Sequence, residues 1–402
     1  MTFMAGNWRE MTLREAGVSL IDCDHRTPPA AESGYPYVAI PQLKQGRLNL
    51  TDVRRITREH FVEWTRKANP KADDVILSRR CNPGETAVVP VGLDCALGQN
   101  LVLLRADDSK MFPPFLRWIV RGGDWWEQIG KFLNVGAVFD SLKCADIPNF
   151  RLPVPPLAEQ RAIAGVLGAL DDKIELNRQM NETLEAMAQT LFKNRFVDAA
   201  TKLPKGWREG TLGEVTENPR RGIQPDEIKS ATPYIGLEHM PRRCIALSDW
   251  GHADELESNK FEFERGEILF GKLRPYFHKV GVAPVDGVCS TDILVLRPKI
   301  PEWFGFVLGH VSSVELVNHT NAASTGTKMP RANWNDIARF EVALPSESAA
   351  AEFTDLIGPM IDRIIANIHE SRILAELRDT QLPKLLSGEL RVPDTIERGA
   401  AK

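Results

Sequence analysis

The chain has 402 residues, 43% of them hydrophobic and 26% charged, a globular balance that excludes disordered, collagen-like and mucin-like classes. A net charge of −4 and a pI near 6.1 exclude a global positive field, so any nucleic-acid contact must come from local patches. The longest uncharged apolar run, Ala162 to Leu170, is half of what a bilayer span needs, and no secretory segment follows Met1. Six cysteines (Cys23, Cys81, Cys95, Cys144, Cys244, Cys289) form no CxxC pair, which points to reduced thiols. The expectation is a cytoplasmic chain of several domains with no membrane contact.

In the first part of the chain, Val75–Ser78, Ala87–Val91 and Leu101–Leu104 are short apolar or β-branched runs bounded by Pro, Gly and Asp, which predicts strands. Phe115–Val120 follows Pro113-Pro114 and reads as a helix start. Then Pro153-Val154-Pro155-Pro156 opens a long helix. From Ile163 it carries Leu167, Leu170, Ile174, Asn177, Asn181, Leu184, Ala188 and Leu191 in a strict 4-3 alternation. A 3.5-residue period sustained over about four heptads predicts a coiled-coil seam.

The chain then repeats itself. Trp8-Arg9-Glu10 returns as Trp207-Arg208-Glu209, Pro36-Tyr37-Val38-Ala39-Ile40 as Pro233-Tyr234-Ile235-Gly236-Leu237, and Asp74-Val75-Ile76-Leu77 as Glu267-Ile268-Leu269-Phe270. The strands Ile268–Phe270, Val280–Val285 and Ile293–Leu296, and a helix over Trp303–Leu308 after Pro301, answer those of the first half. The offset drifts through these parts, as loops with indels do, and then settles at 190: Asp146-Ile147 matches Asp336-Ile337, Phe150 matches Phe340, and Pro155 matches Pro345. A colinear series of this kind defines two similar halves. The second long helix repeats the seam with Phe353, Ile357, Met360, Ile364, Asn367, Ser371, Leu374, Arg378 and Gln381. Each helix of roughly 40 residues would be ~60 Å long. The shared polar interruption predicts that Asn177 and Asn367 face one another across the seam.

Catalytic patterns are absent: there is no GxGxxG, GxxxxGK[ST], HExxH or GxSxG, and Cys23-Asp24-His25 is too short to close a metal site alone. Asn82-Pro83-Gly84 lacks the second proline and aromatic of an amino-methyltransferase motif and reads as a turn. Pro225-Asp226-Glu227-Ile228-Lys229 contains the letters of a nuclease motif, but such carboxylates converge from separate strands, so it reads as a polar loop. What remains is basic clusters. Arg54-Arg55 with Arg58, and Arg79-Arg80, lie in the first half; Lys272, Arg274, His278 and Lys279, with Arg242-Arg243 and Arg220-Arg221, lie in the second. Arg79-Arg80 and Lys272-Leu273-Arg274 both follow the equivalent strand, where a loop could present them to phosphates or guanine edges.

At Gly266-Glu267-Ile268-Leu269-Phe270-Gly271-Lys272-Leu273-Arg274-Pro275-Tyr276, and at Leu152-Pro153-Val154-Pro155-Pro156-Leu157-Ala158-Glu159-Gln160-Arg161, the sequence resembles the specificity subunit of type I restriction–modification enzymes. Gly326-Thr327-Lys328-Met329-Pro330 and Lys384-Leu385-Leu386-Ser387-Gly388 fit as well, and the resemblance covers nearly the whole chain. It departs in two places: the first half has Ser78-Arg79-Arg80-Cys81-Asn82-Pro83 for the Gly-Lys-Leu-Arg-Pro-Tyr string, and the second helix opens with Pro345-Ser346-Glu347-Ser348.

The resemblance implies an α+β chain in which two mixed α/β target-recognition domains, 1–152 and 198–344, alternate with two long helices, 153–197 and 345–392, before a flexible tail, 393–402. The helices would pair as an antiparallel coiled coil through Leu167, Leu170, Ile174, Asn177, Leu184, Ile357, Met360, Ile364, Asn367 and Leu374. It implies double-stranded DNA as partner, read in two half-sites, with Arg79, Arg80, Arg54, Arg55, Lys272, Arg274, His278, Lys279 and Lys328 as DNA contacts. It implies no catalysis, metal or cofactor in this chain. S-adenosylmethionine, ATP and Mg2+ belong to the methyltransferase and the restriction/translocase subunits that the chain would dock. The alternative is an architectural coiled-coil adaptor that reads no DNA.

Overall fold

A computed structural model describes residues 7–136, 139–198, 203–254, 256–324 and 329–392. The expected tail, 393–402, and Lys328 lie outside the described residues. Two compact units divide the chain: 1–171 with 376–402, and 172–375. Among the described residues no helix is long and apolar enough to cross a membrane.

Each unit is built on a four-stranded antiparallel sheet. In the first, Val75–Ser78 lies between Leu101–Ala106 and Thr86–Val88, with Val18–Asp22 on the outer side of Leu101–Ala106. These central strands read as continuous apolar runs because both faces are covered. Val75, Leu77, Val102 and Leu104 enter one core with Phe115, Leu116 and Trp118, while Ile76, Leu101 and Leu103 enter another with Val38 and Leu97. The second unit repeats the plan with Ile268–Gly271 between Ile293–Pro298 and Val280–Val282. Ile268, Phe270 and Leu296 face one core and Leu269, Ile293 and Val295 the other. Each unit also holds one parallel pair: Tyr35–Val38 with Ala96–Leu97, and Pro233–Ile235 with Gly287–Cys289. The predicted helix starts are real, as Pro113–Ile119 and Phe304–Val311.

The long helices span Leu157–Phe192 and Glu347–Leu386. The boundary between units cuts both, whereas the sequence put boundaries at their ends. Packing explains the difference. Ile163, Ala164 and Leu167 share the first unit's core with Leu382, Leu385 and Leu386; Ala188 and Phe192 share the second unit's core with Phe353, Ile357 and Ile364. The motif Glu159-Gln160 ties the first helix to its domain. Gln160 donates to Pro155 O (2.9 Å) and accepts the Phe112 N–H (2.8 Å), and the Trp8 indole donates to Glu159 (2.9 Å).

Two seam expectations are corrected. Leu170, Ile174, Leu184, Met360 and Leu374 are only half-buried; Asp171, Glu185, Phe192 and Ile361 are buried beside them, because a helix turning every 3.6 residues drifts off a strict 3.5 repeat. Nor do Asn177 and Asn367 pair. Asn367 donates to Asn181 (2.9 Å), and Asn177 donates to Glu370 (2.8 Å) and Ser371 (3.2 Å). Under the 190-residue offset Asn181–Asn367 and Asn177–Ser371 exchange, so the two helices are at the same level at Gln179 and His369, two residues beyond the asparagines.

Candidate nucleic-acid interface

In both halves the central strand runs into a hairpin loop whose backbone takes left-handed turns at two points. In the second half these are Arg274 (φ 52°) and His278 (φ 50°), flanking one 3-10 turn, Pro275–Phe277. In the first they are Cys81 (φ 64°) and Gly84 (φ 99°). The base of each loop is clamped alike. Lys272 N–H donates to Asp292 O (2.9 Å) and Arg79 N–H to Asn100 O (2.9 Å); Leu273 bridges to Arg331 and Arg80 to Ser141. Non-glycine residues in the left-handed region cost energy and persist where the surroundings hold them, as at ligand-facing loops.

The second loop carries Lys272, half-buried, whose ammonium has no partner among the described residues. Arg274 donates its N–H to Pro330 O (2.7 Å), and its buried Nε is unpaired. Tyr276 is 49% exposed at the turn. Behind it, the Arg242 guanidinium lies 4.1 Å over the Phe277 ring. Arg331 joins this cluster through its bridge to Leu273 and its bond to Asp292 (3.1 Å). Sequence reading missed it, although Pro330-Arg331 closes the family-like string at Gly326.

His278 and Lys279 leave the candidate set. His278 is buried and faces inward: its Nε2 donates to Ser312 O (2.9 Å), and burial lowers its pKa. The Lys279 ammonium donates to Leu237 O, and burial with Arg242 nearby lowers its pKa. In the first half, Arg80 is exposed, and Arg79 donates to Leu142 O (3.2 Å). Arg54 and Arg55 lie on another sheet, on strand Arg54–Ile56. They are exposed but turned back onto Pro28 O (2.9 Å) and Gly34 O (3.0 Å).

Two other constellations resolve as structure. Asp22, Cys23 and His25 bring ligand-type atoms within 4.8 Å of one another. The Cys23 thiol, however, donates to Gly98 O (3.2 Å) and is pushed up to about 11 by burial and by Asp22. Pro225–Glu227 is a 3-10 turn in which Glu227 accepts the Gln224 N–H (3.1 Å), so its carboxylates converge on nothing.

A family model described as the type I restriction modification DNA specificity domain matches residues 23–186. The MjaIX specificity subunit of Methanocaldococcus jannaschii is 26% identical over 370 residues, covering 85% of this chain and 83% of the relative. The HindI specificity subunit of Haemophilus influenzae is 24% identical, covering 81% and 88%. The chain is similar over most of its length to type I restriction–modification specificity subunits. The fold agrees: the specificity subunit from M. genitalium superposes with a TM-score of 0.56 at 16% identity, over 98% of each chain. For a specificity subunit, two equivalent basic loops, one in each half, are the arrangement of interest.

Proposed function

We propose that this chain is a specificity subunit that reads a bipartite DNA target, one half-site per recognition domain, and that the long helices pair as an antiparallel coiled coil that fixes the gap between half-sites. It carries no chemistry of its own on this reading. It docks methyltransferase subunits, which use S-adenosylmethionine, and restriction/translocase subunits, which use ATP and Mg2+, in the cytoplasm. The observation that carries the reading is the pair of loops after Ser78 and after Gly271, with one backbone pattern and different side chains: two readers of one design with different letters. Asn181–Asn367 and Asn177–Ser371 support the helix pairing, since a polar residue at a seam can specify register.

The test is selection of duplexes from a random library by the full chain. A two-part consensus with a set gap is the expected outcome; sequence-independent retention, or none, would leave the adaptor reading. Lys272→Ala should relax one half-site alone and weaken it by ~1–3 kcal/mol if the ammonium reads a base edge. A contact to phosphate instead weakens all sequences equally and reduces the salt slope. Unchanged affinity at every salt concentration would remove this loop from the interface.

A further inference from the structure

Within the unit formed by 1–171 and 376–402, one carboxylate gathers charge from three other places in the sequence. Asp171, on the first long helix, is fully buried. Its Oδ1 accepts from Arg378 of the second long helix (2.6 Å), and its Oδ2 meets Arg47 (2.9 Å) and Arg117. Arg47 lies on the short strand Arg47–Leu48 and Arg117 on helix Pro113–Ile119, both in the recognition domain. Arg47 also donates to the Asp171 backbone carbonyl (2.6 Å), so it grips the helix backbone as well as the carboxylate. Burial works against the charged form, but Arg117, Arg47 and Arg378 outweigh it and hold the Asp171 carboxyl below its ordinary range.

The places in the second half that correspond to Asp171, Arg117 and Arg378 hold no charge. An offset of 188 sets Gly305 and Gly309 where Arg117 and Arg121 stand; the offset of 190 sets Ile361 and Ala188 where Asp171 and Arg378 stand. There Phe353 and Phe192 pack against the two glycines and leave no room for a side chain. The second domain is therefore attached to these helices without a buried cluster of ion pairs at the equivalent positions, by apolar packing together with hydrogen bonds such as that of Glu185 to the Ile245 N–H. Buried ion pairs contribute little net stability compared with apolar packing, and their best-attested use is to specify a geometry. Fork-like arginines on one carboxylate are directional, whereas apolar packing tolerates small slips.

We propose that Asp171, with Arg47, Arg117 and Arg378, is a positioning hub that fixes the orientation of the first recognition domain on the helix pair and thereby narrows the half-site gap that the chain accepts. This rests on the ruler reading above.

The test uses the full chain, wild type and with Arg47→Ala or Arg47→Lys, and duplexes in which both half-sites are constant and the gap varies. Arg47 is the most exposed of the three guanidiniums, and its removal leaves Asp171 two partners, so the variant folds. Arg47→Ala should keep both half-site sequences while its preference for the wild-type gap over adjacent gaps falls on the order of tenfold, the scale of one hydrogen bond to a charged group. Arg47→Lys should fall between, since an ammonium has no planar fork. A merely structural role would lower binding at every gap alike, with the ratio between gaps unchanged, and that result overturns the hub. If the wild-type chain itself reads both half-sites with no preferred gap, the ruler reading fails and the hub with it.

Discussion

Asp171→Ala should lower the unfolding free energy of its unit by about 3–5 kcal/mol, the loss that follows when one partner of a buried ion group is removed. The carboxylate is wholly buried, and the Arg378 and Arg117 side chains are 8% and 15% exposed, so two largely desolvated guanidiniums would lose their shared counter-charge, with Arg378 keeping only the more exposed Asp379 (2.8 Å). The penalty comes from the orphaned charges more than from the lost attraction. Replacing Asp171, Arg117 and Arg378 together with apolar residues of similar volume should therefore recover most of the loss. Urea unfolding of the three proteins checks this. A single variant within about 0.5 kcal/mol of wild type, the range of ordinary surface changes, would show that the arginines find other partners.

Glu185 should make the chain less stable as pH rises toward 8. It sits on the first long helix, buried, with both oxygens accepting the Ile245 N–H (3.0 and 3.1 Å) and one accepting from Gln189 (3.1 Å). Burial pushes its carboxyl from 4.5 up to about 7, against the pull of the Ile245 N–H and the Cys244 thiol. Folding thus favours the protonated acid. The stabilisation is fully present below about pH 4.5 and is lost as pH rises through 7. A shift of that size corresponds to ~3 kcal/mol. Glu185→Gln keeps the shape and removes the titration, so at pH 8 the variant should be the more stable protein by up to that amount. The comparison must be between variant and wild type. The buried ring of His310, pushed down to about 3, gives stability that falls below pH 6.5 in both proteins. Parallel stability curves for the two proteins from pH 5 to 8 would contradict the assignment.

Much of this fold was legible because its signals are local. Val75–Ser78 and Ile268–Gly271 appear as strands because a two-face-buried strand is a short apolar run with turn residues at its ends. The long helices appear because their apolar periodicity outlasts any globular helix face. What escaped was burial of the wrong chemical type. A strict 4-3 alternation passes over Asp171 and Glu185 and takes their neighbours Leu170 and Leu184. Only the arginines converging from Arg47, Arg117 and Arg378, and the Ile245 N–H, make those carboxylates interior, and none of these partners is near in sequence. His278 failed in the opposite sense: a basic letter in a basic loop, turned inward by its own left-handed backbone. The Asn177–Asn367 pairing failed by two residues, because an offset between repeats gives equivalence but not the point where the two helices meet.

The central claim is that the helix pair sets the distance between two DNA readers, and a matched heptad insertion tests it most directly. One heptad goes between Asn181 and Glu182 and one between Ala366 and Asn367, positions that face each other across the Asn181–Asn367 bond. Each insertion lengthens its helix by ~10.5 Å while keeping the seam in phase. At ~3.4 Å per base pair this equals about three base pairs of B-DNA. Those base pairs also rotate one half-site by roughly 100°, at ~10.5 per turn, so part of the mismatch must enter DNA twist or bend and affinity should fall. Selection from a duplex library with randomised gap should return the same two half-sites with a gap wider by about three base pairs. The same half-sites recovered at the wild-type gap would contradict the account and reduce the helices to a platform for partner subunits.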